Sequence, residues 1–89
     1  MFKTLTHCDK VQLIEFIIKK DVFLPEHSHP NVQIGYLIEG KIEFVIDGKT
    51  YVAEPGDSWC IPENIPHSAK ILEDSKVIEV FSPIREDLL

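Results

Sequence analysis

Short apolar runs rich in β-branched and aromatic residues, separated by Gly, Pro, Asn and Asp, make up the pattern of this chain. The first run, VQLIEFII at residues 11–18, is apolar on both alternating faces except at Gln12 and Glu15. A strand that is covered on two sides has this pattern. A helix is the competing interpretation, but no capping residue followed by a 3.6-residue period supports it. We therefore expect a strand at 11–18.

The clearest local signal is a β-hairpin in the middle of the chain. Residues 41–46 begin with alternating polar and apolar side chains, and Asp47-Gly48 is a dipeptide that favours a two-residue turn between paired strands. The pattern predicts a return strand at 49–53. A separate strand is expected before the hairpin, at 32–38, because Glu39-Gly40 ends the apolar run there.

Turn residues divide the C-terminal half in the same way. We expect a turn at 54–57, a strand at 58–61, a rigid proline-rich loop at 62–66, strands at 67–72 and 76–81 joined by a turn at 73–75, and a last turn at 84–89. A short apolar run at 22–24 is ended by Pro25. About eight short strands with such turns predict an all-β barrel or jelly roll.

Composition narrows the class of protein further. A chain of 89 residues has room for one core, so we expect a single domain over 1–89. No apolar segment is long enough to span a membrane and the N-terminus has no signal core, so the expected compartment is the cytoplasm. The net charge of -6 and the scattered basic residues argue against nucleic-acid binding. Cys8 and Cys60 form no CxxC pair and are expected to be free thiols, with Cys60 buried.

Two separate stretches carry the candidate chemistry. His27 and His29 are two residues apart, so on an extended segment both imidazoles project to the same face, and the parity continues to Gln33 despite a bend expected at Pro30. His67 follows the proline-rich loop, where it could close a site from the opposite sheet. Imidazole and amide ligands suit a divalent ion such as Zn, Ni, Fe, Mn or Cu. The alternative is that these are surface or core histidines brought together by chance.

A site of three imidazoles and one amide contributes no charge of its own. The ion would keep its full positive charge as a Lewis acid. We therefore hypothesise a preference for a small substrate with a carboxylate or an enolisable carbonyl.

The two stretches resemble the two motifs of the cupin superfamily. The first reads LPEHSHPNVQIGYLIEGKIEFVIDG and the second reads PGDSWCIPENIPHSAK. The resemblance covers roughly residues 24 to 70 and implies a small single-domain cupin, a jelly-roll β-barrel also described as a double-stranded β-helix. It also implies metal ligation by His27, His29, Gln33 and His67. One departure from similar sequences is Val32, where a glutamate often stands.

A narrower resemblance is to the pectin-degradation cupins that convert cyclic 4,5-unsaturated monouronates to their linear keto form. Their metal site has three histidines and one glutamine, and their tail is similar to IEVFSPIRED at 78–87. The resemblance implies that Glu79, Phe81 and Arg85 line the pocket. Glu79 and Arg85 would then be catalytic, the first moving a proton and the second pairing with the substrate carboxylate, and Phe81 would contact the substrate.

Each of these tail residues has a simpler interpretation. Arg85 could be a surface residue paired with Glu86 or Asp87, whereas Glu79 shares its strand face with apolar residues, and a carboxylate there normally has a function. The aromatic residues Tyr36, Phe44, Trp59 and Phe81 could shape the pocket, but aromatic residues on strands are more often part of the core.

Three functions remain open at this point. The first is a metal-dependent isomerase or ring-opening enzyme of sugar acids. The second is a metal-dependent dioxygenase, because iron or copper held by histidines can activate oxygen. The third is a non-catalytic protein that binds a small molecule. A homodimer is expected in each case, with 11–18 as an edge strand near the interface, because this strand needs a second cover.

Overall fold

A computed structural model describes all residues from Met1 to Leu89, and it is built almost entirely of strands. No helix in it is long and apolar enough to cross a membrane. A single turn of 3-10 helix, Glu86–Leu88, lies near the C-terminus, where a turn was expected. The strands are β1 (Phe2–His7), β2 (Gln12–Ile18), β3 (Phe23–His27), β4 (Val32–Ile46), β5 (Lys49–Ala53), β6 (Ser58–Ile61) and β7 (His67–Ser82).

Two long strands, β4 and β7, organise the whole fold. They pair antiparallel from Val32↔Ser82 to Ile46↔His67, and each strand contributes one half to each of two sheets. The first sheet has the order β1-β2-β7-β4-β6, and the second has the order β3-β7-β4-β5. This arrangement is a jelly roll, so the predicted all-β architecture is confirmed.

The expected breaks within β4 and β7 are wrong. Where the predicted strands 32–38 and 41–46 should end and begin, β4 continues through a bend between Leu37 and Ile42, and its register with β7 is irregular there. Gly40 lies in this bend with φ +100°, and a side chain there would overlap Ser75 and the backbone of Asp74. The polar residues at 73–75 lie at the same corner, where Ser75 accepts a hydrogen bond from the Lys41 N–H. Both strands therefore pass from one sheet to the other without stopping.

The local hairpin is as predicted. Asp47 and Gly48 both have positive φ values, 51° and 76°, and Ile46 pairs directly with Lys49 across the turn. Mirror-image turns of this kind match the twist of the flanking strands. The bounds of β5 and β6 agree with the predicted strands, whereas β1 was not predicted and β3 continues past Pro25 to His27. Proline is tolerated in β3 because this strand lies at a sheet edge.

The main core lies between the two sheets. Its seven buried residues come from β4, β5 and β7: Leu37, Ile42, Phe44, Ala53, Ala69, Ile71 and Val77. Strand β2 extends the first sheet, and its Ile14 is fully buried. The expectation that β2 is an edge strand is wrong, because β1 pairs with its free side.

The two cysteines are free thiols, as expected, but Cys60 is exposed. Alternation along β6 explains this correction. Its neighbours Trp59 and Ile61 point towards the interior, so the Cys60 side chain points outward.

Candidate metal centre

Three histidines from the two predicted stretches lie together at one end of the barrel. His27 ends β3, and its Cα atom pairs with that of His67 at the start of β7. His29 follows two residues later. One ring nitrogen from each of the three lies within 4.8 Å of the others. The fourth histidine, His7, is not part of this group.

The orientation of each ring is set by a backbone carbonyl. A carbonyl oxygen can only accept, so each of these contacts is a hydrogen bond in the tautomer with the proton on Nδ1, in which Nε2 keeps its lone pair. This arrangement is typical of metal-ligating histidines. The three Nδ1 donors and their acceptors are His27 to Pro25 O at 2.8 Å, His29 to Asn31 O at 3.0 Å, and His67 to Ile65 O at 2.8 Å.

The Nε2 atom of His67 is the clearest indication of a ligand. It is buried and has no hydrogen-bond partner in the protein. Burial lowers the pKa of His67, against the opposing effect of the Ile65 carbonyl, and the neighbouring imidazoles of His27 and His29 and the charge of Arg85 lower it further. The ring is therefore neutral at pH 7 and has a free lone pair. A buried lone pair without a donor costs free energy that a bound cation would recover.

The side-chain oxygen of Gln33 is the fourth candidate ligand atom, beside the three imidazole nitrogens. Its Oε1 atom lies 3.1 Å from Nε2 of His29. In the tautomer that a metal ligand requires, with the His29 proton on Nδ1, two acceptors face each other across this short distance. A shared cation would turn this unfavourable contact into two ligand bonds. The residues present therefore fit a borderline divalent ion, for which imidazole is a common ligand.

Glu79 lies directly behind Gln33. Its Oε2 atom accepts hydrogen bonds from Nε2 of Gln33 and, at 3.2 Å, from Nε1 of Trp59. Burial raises the pKa of Glu79, and the two hydrogen bonds and the charge of Arg85 oppose this effect. No protein hydrogen bond engages Oε1, the other carboxylate oxygen. Glu79 therefore has one oxygen held by the protein and one available to a ligand.

The contact of Trp59 with Glu79 was not predicted from the sequence. In the two registers, Gly35 is the partner of both Trp59 on β6 and Glu79 on β7, so these three residues form one row across the first sheet. A side chain at Gly35 would overlap the indole ring. The glycine thus allows Trp59 to lie across β4 and reach the carboxylate. The signal for this contact in the sequence was Glu79, because a carboxylate on an apolar strand face requires hydrogen-bond donors.

Three of the four candidate ligands and the tail residues line one cavity of about 260 Å³, whereas His29 does not line it. Arg85, the only arginine of the chain, lies with its guanidinium carbon 5.2 Å from the centre of the Phe81 ring. It also forms the ion pair with Asp87 that was the simpler interpretation, at 2.9 Å. Arg85 therefore lines the cavity and also forms this ion pair. The predicted site residues in the cavity wall are His27, Gln33, His67, Glu79, Phe81 and Arg85.

Buried amides attach the tail to the barrel. Oε1 of Gln12 accepts a hydrogen bond from the backbone N–H of Arg85 at 2.7 Å, and Nδ2 of Asn31 donates to the carbonyl of Pro83 at 2.6 Å. Gln12 is fully buried and Asn31 nearly so. The sequence analysis missed both residues. The signal for Gln12 was its place as a polar residue in an otherwise apolar strand.

Comparison with known proteins agrees with this geometry. The cupin domain family matches residues 14–82, most of the chain. The chain belongs to the cupin family. Its similarity to the pectin-degradation cupins, predicted from the motifs and the tail, is also confirmed: it is 32% identical over 89 residues to the pectin degradation protein KdgF of Dickeya dadantii (strain 3937), covering 98% of this chain and 81% of the relative.

A solved structure and a second kind of relative complete the comparison. The structure of KdgF from Halomonas sp. matches this cupin with a TM-score of 0.93 and 32% identity, covering 99% of this chain and 82% of the other. The acireductone dioxygenase of Bacillus subtilis (strain 168) is 36% identical over 63 residues, 65% of this chain. These residues are only 35% of the dioxygenase, so the cupin corresponds to about a third of it.

Proposed function

We propose that this cupin opens the ring of a 4,5-unsaturated monouronate or a closely similar sugar acid with the help of a divalent metal ion. The observation that carries the proposal is one cavity lined by two members of the histidine group, His27 and His67, with the buried carboxylate of Glu79 and the only arginine. The similarity to KdgF, a pectin degradation protein, supports this substrate class.

The proposed ligands are His27, His29, Gln33 and His67. When bound, the metal would supply Lewis-acid polarisation of a ring or hydroxyl oxygen of the substrate. The ligands bring no charge, so the site attracts anionic or electron-rich oxygen atoms.

Three tail residues complete the proposed mechanism. Arg85 pairs with the substrate carboxylate in bidentate fashion, which fixes the orientation of the sugar ring. Phe81 contacts the ring from the same cavity wall. Glu79 moves a proton through its Oε1 atom, and burial, which raises its pKa, favours the protonated form that can donate.

The test is ring opening by protein loaded with a known metal. Metal-free protein is loaded separately with Zn, Ni, Mn, Fe or Cu, and the ultraviolet absorbance of the double bond of unsaturated galacturonate is followed. We expect decay above the buffer rate with at least one metal, and loss of the excess in His67→Ala. Decay at the buffer rate with every metal contradicts the activity. Substrate binding without decay would instead indicate the non-catalytic binding protein.

A dioxygenase is the second candidate. The similarity to acireductone dioxygenase and the group of three histidines, which could hold iron or copper, favour it. Oxygen consumption by iron-loaded or nickel-loaded protein separates the two functions, because ring opening consumes no oxygen.

We also propose a homodimer formed by the outer face of the first sheet. Ile34 and Tyr36 are exposed there, at 49% and 50%, beside their register partners Val80 and Ile78. An apolar sheet face of this kind favours association. Equilibrium sedimentation should give a dimer for the wild-type chain and a monomer for Ile34→Lys. A wild-type monomer at micromolar concentration would reject the dimer.

A further inference from the structure

The two ends of the Gln33 amide have nearly the same shape and opposite hydrogen-bonding character. Oε1 offers lone pairs, whereas Nε2 offers only protons. Only the orientation with Oε1 towards His29 presents a ligand atom to a metal ion. The orientation of this buried amide therefore decides whether the site has four ligand atoms or three.

Without an external constraint, the amide would favour the wrong orientation in the absence of metal. With Nε2 turned towards His29, the amide would donate to the lone pair of the imidazole and satisfy both groups. With the His29 proton on Nδ1, as metal ligation through Nε2 requires, the observed orientation places two acceptors 3.1 Å apart. Some other interaction must hold it, and the only partner at the far end of the amide is Glu79, which accepts from Nε2.

Glu79 is itself fixed by Trp59. The indole Nε1 donates at 3.2 Å to the same oxygen that accepts from Gln33. The indole packs over Gly35 and against Phe44, with ring centres 4.6 Å apart, so it has little freedom to move. The hydrogen bonds thus run from a packed aromatic ring through a carboxylate to the amide.

We infer that Glu79, held by Trp59, is a positioning residue that keeps the Gln33 amide turned with its oxygen towards the metal site. This role is separate from proton transfer, because it uses the oxygen Oε2 and the proposed proton transfer uses Oε1. The inference rests on Gln33 being a ligand, as proposed above.

A double-mutant cycle on metal affinity is the first test. The variants are Glu79→Met, which keeps the length of the side chain without a strong acceptor, Gln33→Leu, and the two combined, with Zn²⁺ as the probe in competition titrations. We expect Glu79→Met to weaken Zn²⁺ binding by about 10-fold, which is within the range for residues that orient ligands. In the Gln33→Leu background the same change should weaken it by less than about 2-fold.

Equal weakening in both backgrounds would overturn the inference, because Glu79 would then act on the site without Gln33. Unchanged affinity in Glu79→Met would overturn it as well. Glu15→Met is the matched control, since Glu15 lies on the neighbouring strand β2 and pairs with Lys76. If Glu79→Met fails to fold, Trp59→Phe removes the indole donor and keeps an aromatic ring of smaller size, and the same dependence on Gln33 is expected with a smaller change.

A second test does not depend on metal binding. In metal-free protein the side-chain amide protons of Gln33 and the indole proton of Trp59 both point at Oε2 of Glu79, so a nuclear Overhauser effect between them is expected. It should be lost in Glu79→Met. Its absence from the metal-free wild type would overturn the inference. If the effect is present but none of the five metals binds, the proposed metal-dependent function fails, whereas the orientation of the Gln33 amide by Glu79 is still demonstrated.

Discussion

The Cα atoms of His27 and His67 are direct partners across β3 and β7, and their ring centres are 4.2 Å apart. β3 lies at the edge of the second sheet, with all five of its residues exposed, and it pairs only with β7. A metal bound between these histidines would therefore tie the least protected strand of this sheet to the barrel.

Metal binding should protect β3 from exchange more than it protects the rest of the fold. The expected result is slower amide hydrogen exchange for residues 23–27 on addition of Zn²⁺, together with a higher melting temperature, since a ligand that binds only the folded state stabilises it. A chelator should reverse both. A uniform change over all strands would contradict a link local to β3.

Replacement of single histidines should show which of them bind the metal, because only the loss of a ligand lowers the Zn²⁺ affinity. His67→Ala is expected to weaken Zn²⁺ binding by at least about 100-fold, because it removes a buried lone pair at the centre of the group. His7→Ala is the matched control, since His7 is exposed on β1 and outside the group. Isothermal titration measures both. Equal affinity in the two variants would show that the site lies elsewhere.

Gly35→Ala should destabilise the protein by about 1–3 kcal/mol, because the new methyl group overlaps the buried side of the Trp59 indole. Displacement of the ring should also shift the tryptophan fluorescence. Denaturant unfolding gives the free energy. Gly48→Ala is the comparison, since its Cβ would meet open space and only the positive φ is costly. Wild-type fluorescence and stability in Gly35→Ala would mean that the row Trp59–Gly35–Glu79 is wrong.

Gln12→Leu should weaken substrate binding without changing the affinity for metal. The change leaves the backbone N–H of Arg85 without its acceptor and loosens the tail that carries the guanidinium. We expect a KM for unsaturated galacturonate raised several-fold, a smaller change in kcat and wild-type Zn²⁺ affinity. A loss of Zn²⁺ affinity as large as the rise in KM would argue against a role confined to the tail.

Ionisation of Glu79 should cost stability in metal-free protein. Burial raises its pKa in the folded state, so its stabilising contribution is fully present below the pKa of the unfolded chain and is lost as pH rises through the folded pKa. Relative to Glu79→Gln, the wild type should lose stability as the pH is raised from about 4. Urea unfolding with a chelator present, at several pH values, measures this. A gain of wild-type stability over the same range would refute it.

Local patterns in the sequence predicted the parts of the molecule that depend on near neighbours. The turn at Asp47-Gly48 follows from backbone preferences, and the shared face of His27 and His29 follows from strand alternation. Gln33 was found by the same alternation, and its resemblance to a cupin ligand added the expected role. These features lie within a few residues of one another.

Features made by distant pairing were not predictable in this way. Polar residues at 73–75 have the composition of a turn, and only pairing with the bend at Gly40 keeps β7 continuous there. The hydrogen bond between Gln12 and Arg85 joins opposite ends of the chain. The row that brings Trp59 to Glu79 depends on the register of three strands, which the hydrophobic pattern does not specify.

The central claim is that three imidazoles and the Gln33 amide bind one metal ion. Anomalous diffraction from crystals grown with Zn²⁺, collected on both sides of the zinc absorption edge, tests it most directly. We expect one strong peak about 2.0–2.1 Å from Nε2 of His27, His29 and His67, with Oε1 of Gln33 as the fourth protein neighbour. Peaks only at other residues, with the three rings free of zinc, would contradict the account.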